Sequence, residues 1–205
     1  VEHLSKEKSN IPMREIIFAT NNPHKLQEIS QITEGRLLIH SLKELGFNED
    51  IPETEDSIEG NAMLKAKTIF KRFGLPCFAD DTGLEVNALH GAPGVYSARY
   101  AGENASYADN VNKLLMALEN HSDRSARFKT VIAYIDKDSQ MLFEGLINGK
   151  ILLEAVGQNG FGYDPVFVPN GYQLSFAEMD AAIKNTLSHR AIASQKLADW
   201  LLNRA

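Results

Sequence analysis

Two short apolar runs, Ile16-Ile17-Phe18-Ala19 and Cys77-Phe78-Ala79, each stop abruptly at polar residues and each neighbour an amphipathic helical pattern. A run without polar alternation marks a strand covered on both faces. Such strands need helices to cover them, so the runs point to a layered α/β fold before any motif is considered. After the first run, Thr20-Asn21-Asn22-Pro23-His24-Lys25 forms a polar loop, and Leu26, Ile29 and Ile32 then recur at helical spacing. Pro23 suits a first helical turn. A second helix is expected from about Ser57 to Phe73, with Ile58, Ala62, Ala66, Ile69 and Phe73 as its inner stripe. Asp56 with Glu59 resembles a capping box there, and Gly74 is the stop.

The second run closes on Asp80-Asp81-Thr82-Gly83, a composition that also fits a type I turn. Leu84, Val86 and Ala88 then alternate as in a half-exposed strand. Ser106 with Asp109 opens a third helix, whose stripe is Val111, Leu114, Leu115 and Leu118. Ala126 to Asp136 and Gln140 to Ile151 read as a hairpin turning through Lys137-Asp138. The segment from Gly157 to Pro169 reads as loop and strand, and a last helix starts at Ser188 with Ala193, Leu197, Trp200 and Leu201 inward. The expected fold is therefore a mixed, elongated central sheet flanked by helices. No repeat or low-complexity linker divides the chain, so 13–205 reads as a single domain behind a disordered extension at 1–12.

Composition narrows the function. A formal charge of -6 disfavours a general nucleic-acid binder, which needs a net basic surface. It still permits a small anion held by local cations. The single Cys77 leaves no intramolecular disulfide or cysteine metal site and favours a reducing compartment, so a cytoplasmic setting is expected. Cys77 lies in an apolar run and reads as a small core residue. No apolar stretch is long enough for a membrane helix.

Three clusters carry chemistry. The loop Thr20 to Lys25, between strand and helix, is a natural anion seat, with Asn22 as a donor and Lys25 as a mobile ammonium. A plain helix start is the competing reading. Asp80 and Asp81 follow a buried strand, where ligands of α/β sheets bind. A nearby cation is the simplest way to keep both ionised, and oxygen ligands without thiols favour Mg²⁺ or Mn²⁺. Glu53, Glu55 and Asp56 add carboxylates just before the second helix, or form a solvated acidic loop. Finally, Phe161-Gly162-Tyr163-Asp164 and Lys184…His189-Arg190 offer an aromatic face, a carboxylate, an ammonium, an imidazole and a guanidinium. Those groups suit a flat heterocycle. A glycine-rich turn followed by a helix capped by Ser188 is the alternative.

The six segments Thr20–Lys25, Glu59–Ala66, Ala79–Gly83, Gly91–Arg99, Phe161–Pro165 and Ser188–Arg190 resemble, in order, the motifs of the inosine/xanthosine triphosphate pyrophosphatase family. The resemblance implies Mg²⁺-dependent hydrolysis of ITP, dITP and XTP to the monophosphate and pyrophosphate. It also implies two lobes with the site in the cleft between them, and a homodimer. Carried onto this chain, Thr20, Asn21, Asn22, Pro23, His24 and Lys25 hold the triphosphate. Asp81 is the catalytic carboxylate, with Lys25 and Asp80 beside it, and Glu53 and Asp81 hold the metal. Thr82 contacts substrate, and Phe161, Gly162, Tyr163, Asp164, Lys184, His189 and Arg190 form the base pocket. Ala182-Ile183 stands where relatives often carry acidic residues. Gly91 to Arg99 reads mainly as a structural turn, with a role in the subunit contact as the second reading.

Whether Asp81 accepts a proton or only binds metal is not decided by sequence. Selectivity is expected at the purine six-position, through a donor from Arg190 or a backbone N–H. Two other readings stay open: a Maf-like pyrophosphatase for modified pyrimidine nucleotides, and a non-catalytic nucleotide-binding protein.

Overall fold

The structure is a computed structural model that describes residues 14–33 and 36–204. The extension assigned to 1–12 lies outside those residues. Strand β1 (Arg14–Phe18) leads into helix α1 (Pro23–Ile32), then β2 (Leu37–Ser41), which pairs parallel to β1. The sequence reading did not assign β2. It is a short outer strand whose apolar run, Leu37-Leu38-Ile39, gives way at once to His40-Ser41, with no amphipathic helical pattern after it.

Helix α2 (Ile58–Phe73) has the expected span, with Gly74 closing it in a left-handed conformation at φ 65°. Its cap differs from expectation. Ser57, not Asp56, is the N-cap, and its hydroxyl accepts from the Gly60 N–H at 3.0 Å.

The largest departure is strand β3 (Cys77–Val86), which runs unbroken through Asp80-Asp81-Thr82-Gly83. No turn forms there. Every residue from Cys77 to Val86 is in register with β5 (Ser125–Ile135), from Cys77 opposite Ile135 to Val86 opposite Ala126. The ladder absorbs the backbone polar groups, and lysine and arginine partners absorb the charges. The expected alternation through Ala88 ends early, because Asn87–Leu89 form a single 3₁₀ turn.

Strand β5 continues into β6 (Gln140–Ile151) as the expected hairpin, and β7 (Phe167–Pro169) adds to the far end of β6. A two-residue strand β4 (Pro93–Gly94) pairs with β3 at Leu84 and Glu85. Helix α3 (Tyr107–Ala117) is opened by a reciprocal Ser106/Asp109 capping box, as expected. A helix not anticipated, α4 (Ala181–Leu187), ends at Ser188, which then caps α5 (His189–Leu202) by accepting from the Ala191 N–H at 3.1 Å.

The strand order is β2-β1-β3-β5-β6-β7, with β4 on β3. One lobe is a sandwich. Phe18, Phe78, Ile132, Leu197 and Leu201 pack on the face carrying α1 and α5. Ile17, Ala62, Ala66, Ile69, Cys77 and Val131 pack on the face carrying α2. The other lobe gathers Leu84, Val86, Leu114, Phe128, Phe167 and Phe176 around α3 and the outer part of the hairpin. Cys77 is a buried core residue as expected, its thiol pushed up to about 12 by burial.

Candidate active site

The cleft originates as a gap in the sheet. On one edge of β3, β1 pairs only as far as Phe78, and β4 resumes pairing at Leu84. Between them the strand faces an opening of about 320 Å³, within the range of small-molecule sites. Gly83 brings β4 close. A Cβ there would lie 2.6 Å from the Gly94 carbonyl oxygen and 2.8 Å from Ile58 Cδ1. The same turn is tied by Ser97, whose hydroxyl donates to Gly94 O at 2.6 Å and accepts the Leu84 N–H at 2.9 Å. This supports the structural reading of Gly91–Arg99.

At one end lies the strand–loop–helix of β1 and α1. Thr20, Asn21, Asn22 and Lys25 line the cleft, whereas Pro23 and His24 do not. Asn22 uses its side-chain oxygen as the N-cap, accepting from His24 and Lys25 N–H at 3.0 and 3.3 Å. Thr20 Oγ1 accepts the Asn22 N–H at 3.2 Å, so the loop is held from within.

Because β3 is continuous, its two aspartates leave on opposite faces. Asp80 is 1% exposed and does not line the cleft. It accepts from Lys25 Nζ at 3.0 Å and from Arg190 Nε at 3.2 Å. Burial alone would raise its carboxyl, but Lys25 and Arg190 outweigh burial and hold it well below the usual range. Asp81 does line the cleft, and burial raises its carboxyl despite Lys65 and Lys25 nearby.

Lys65 stands between Asp81, at 3.5 Å, and Glu53, at 2.6 Å. Burial opposes the Lys65 charge, but Asp81 and Glu53 overcome it and raise its pKa. Glu53 moves the other way. Burial would raise it, and the neighbouring cations, Lys65 first, bring it below its ordinary value. Arg99 also reaches Glu53, at 3.5 Å.

The donor set matches a hard cation. Asp81 Oδ2 is buried with no hydrogen-bond partner, and Glu53 offers a second carboxylate across Lys65. Among the described residues no group of three His, Cys, Asp or Glu side chains is arranged as a metal cage. A cation here would therefore share its coordination with water and substrate oxygens, as Mg²⁺ sites commonly do.

Toward the other end the charges continue as an alternating buried series. Arg190, 2% exposed, also pairs with Glu28 and donates to Thr82 Oγ1 at 3.3 Å. Glu28 accepts from Lys184 at 2.6 Å, and Lys184 reaches Asp164 at 2.8 Å. Burial pushes the Asp164 carboxyl up, with Lys184 opposing it. For Glu28, Arg190 and Lys184 outweigh burial and depress it. The Asp164 carboxylate also accepts the Phe161 N–H at 2.7 Å, fixing the loop that carries the aromatic.

Phe161, Gly162, Tyr163, Asp164, Lys184, His189 and Arg190 all line the cleft, together with Thr82. Tyr163 is anchored, its hydroxyl donating to Ser97 O at 2.9 Å. His189 stacks on Phe128 at 4.5 Å and 14°. Burial, reinforced by Arg190 and Lys184, keeps its imidazole neutral, and its Nδ1 is buried without a partner. Helix α5 reaches this position because β6 has Gly145 beneath it. A Cβ at Gly145 would collide with His189 O and sit 2.7 Å from Ala193 N.

Sequence reasoning gave no role to Glu28, Lys65, Tyr107 or Gly145. Lys65 carried a signal, since it interrupts the apolar stripe of α2 between Ala62 and Ala66. Glu28 also did, standing three residues after Lys25 on the same helix face. Gly145 and Tyr107 had none, because their roles depend on packing between distant segments.

An anion loop, a paired-carboxylate centre and an aromatic end in one cleft define a nucleotide-handling α/β protein. Residues 16–200 match the Ham1 family, and the chain belongs to it. It is 59% identical over 191 residues to a dITP/XTP pyrophosphatase of Porphyromonas gingivalis, covering 93% of this chain and 98% of that protein. A Flavobacterium johnsoniae protein of the same name is 52% identical, over 91% of this chain and 97% of the relative. Among solved structures, the Staphylococcus aureus Ham1 protein superposes with a TM-score of 0.85 at 38% identity, covering 94% of this chain and 100% of that one.

Proposed function

We propose that this protein hydrolyses non-standard purine nucleoside triphosphates, dITP, ITP and XTP, to the monophosphate and pyrophosphate, and so cleanses the nucleotide pool. The observation that carries this reading is the single cleft that joins Lys25, the Glu53/Asp81 pair and the Phe161 loop. The names of its close relatives in the Ham1 family support the substrate class.

In this reading the triphosphate lies along Thr20–Asn22 and Lys25, and the base lies toward Phe161. Lys25 and Lys65 oppose the negative charge that grows on the phosphate chain during attack. Burial raises the affinity of Asp81 for a proton, whereas at Glu53 the neighbouring cations, Lys65 first, outweigh burial and lower it. In this reading Asp81, whose Oδ2 is buried without a partner in the cleft, accepts the proton of the water attacking the α-phosphorus, and its raised affinity for a proton supports that role. Asp80 acts indirectly, holding Lys25 and Arg190 in place. Glu53 and Asp81 would hold Mg²⁺, with Mn²⁺ as a substitute, which when bound supplies charge neutralisation on the phosphate oxygens.

Base selection falls to groups with donor capacity left over. Arg190 has committed Nε, one NH1 and one NH2 donor to Asp80, Glu28 and Thr82, and Lys184 has committed two of its donors. Remaining hydrogens on Arg190 or Lys184 favour an acceptor oxygen at the purine six-position over an amino group. A homodimer and a cytoplasmic setting belong to the same proposal.

The test is phosphate release from ITP, XTP, ATP, GTP and dTTP, with and without Mg²⁺ and added inorganic pyrophosphatase. ITP and XTP turnover visible only with the coupling enzyme is the expected result. Direct release of single phosphates, a preference for dTTP, or ligand-induced stabilisation without turnover would refute the reading.

A further inference from the structure

His24 was grouped by sequence with the triphosphate loop, yet it does not line the main cleft. It lines instead a smaller cavity of about 280 Å³, which shares Phe161 and Lys184 with the cleft. Phe161 is therefore a partition, with the cleft on one side and His24 on the other. The two rings are stacked, with centroids 5.2 Å apart and planes 19° from parallel. Tyr107, at the first turn of α3 and on the cleft wall, meets both. Its ring lies 6.4 Å from His24, edge-on, and 6.0 Å from Phe161.

We propose that His24 is a positioning residue, which braces the outer face of Phe161 so that the inner face is held ready for the base. This rests on the pyrophosphatase reading and deepens it. Phe161 sits on a loop between Gly160 and Gly162, both at positive φ (73° and 63°), and is itself only partly buried. Its backbone is fixed through Asp164, and Lys184 Nζ and Arg190 Cζ lie 5.3 and 5.4 Å from its ring centroid. His24 adds the near-parallel stacking contact, from the first turn of α1, the helix whose cap and Lys25 form the phosphate end. The stack thus ties the two ends of the nucleotide site together. It also predicts that His24 influences recognition of the base without touching it.

The experiment measures ITP hydrolysis by the unsubstituted protein, His24→Ala and His24→Phe, with inorganic tripolyphosphate as a competitive inhibitor that has no base. His24 is exposed, so both variants keep the fold, and their thermal melts verify this. His24→Ala is expected to raise KM for ITP about two- to tenfold, the scale of one aromatic pair. Its kcat should change much less, and tripolyphosphate inhibition should not change. His24→Phe, which restores a stacking ring, should bring KM back. An unchanged KM in His24→Ala, a parallel weakening of tripolyphosphate, or no rescue by His24→Phe would overturn the bracing role. Absence of ITP turnover in the unsubstituted protein would instead overturn the pyrophosphatase reading, and this inference with it.

Discussion

Asp80 and Asp81 are neighbours in sequence and serve opposite sides of one strand. Asp80, outside the cleft lining, faces Lys25 and Arg190, and Asp81 faces Lys65 and the opening. Their carboxyls are driven in opposite directions, down for Asp80 and up for Asp81. In the proposed mechanism the pair therefore separates a structural charge from a chemical one.

Substitution should expose that separation. Asp81→Asn is expected to lower kcat by about two to four powers of ten, the usual loss for a proton acceptor, while the protein keeps its melting temperature. Asp80→Asn should destabilise by about 3–5 kcal/mol, because it removes the anion between Lys25 and the buried Arg190 and leaves Arg190 only Glu28 as an ionic partner. Paired kcat and urea-unfolding measurements decide it. Equal stability losses in the two variants would contradict the assignment.

The depressed carboxyls of Asp80 and Glu28 make a statement about acid stability. Each contributes stability that is fully present above its unfolded value, near 4, and that is lost as pH falls through its lower folded value. Urea-unfolding free energy should therefore drop steeply below about pH 4. In Glu28→Gln the drop should be shallower, from a lower starting stability. A slope unaltered by that substitution would count against the buried charge series.

His189 has the reverse dependence on burial and predicts a separate step. The unfolded imidazole takes up a proton near pH 6.5, whereas the folded one resists protonation until well below that. Between those values the unfolded state binds the extra proton, so stability declines as pH falls, by up to about 1.4 kcal/mol per unit. His189→Gln should remove this component. An NMR titration of the wild-type imidazole near 6.5 would rule the explanation out.

Gly145 is a test of how α5 is seated. Gly145→Ala places a methyl group against the backbone of His189 and Ala193, not against a movable side chain. The expected cost is about 1–3 kcal/mol or more, together with a marked loss of activity as Arg190 shifts. A variant with native stability and kcat would mean that α5 can lift from the sheet without consequence.

Much of this architecture could be read from periodicity. The buried runs, the α2 stripe, the Ser106 box and the β5–β6 hairpin all follow from local rules, and the structure retains them. Reading failed where local and non-local preferences conflict. Asp-Asp-Thr-Gly has the composition of a turn, but pairing with β5 extends it into strand. Asp56 has the chemistry of a cap, but Ser57 holds the extended conformation a cap requires. At the site, the residues expected from sequence converge on one cleft, except that Asp80, Pro23 and His24 stand outside its lining. Motif membership names a segment; the direction of each side chain depends on strand phase and on partners such as Glu28 and Lys65, far away in sequence.

The hairpin that carries both lobes has a mechanical consequence. Strands β5 and β6 are paired without interruption from Ser125 opposite Lys150 to Ile135 opposite Gln140, and the two halves of the cleft are mounted along this one ribbon. It has no slack joint at which the jaws can pivot. Parting the two lobes as rigid bodies requires this ribbon to twist along its length, as a leaf spring flexes. Stiffness spread over many residues of β5 and β6 therefore opposes that parting.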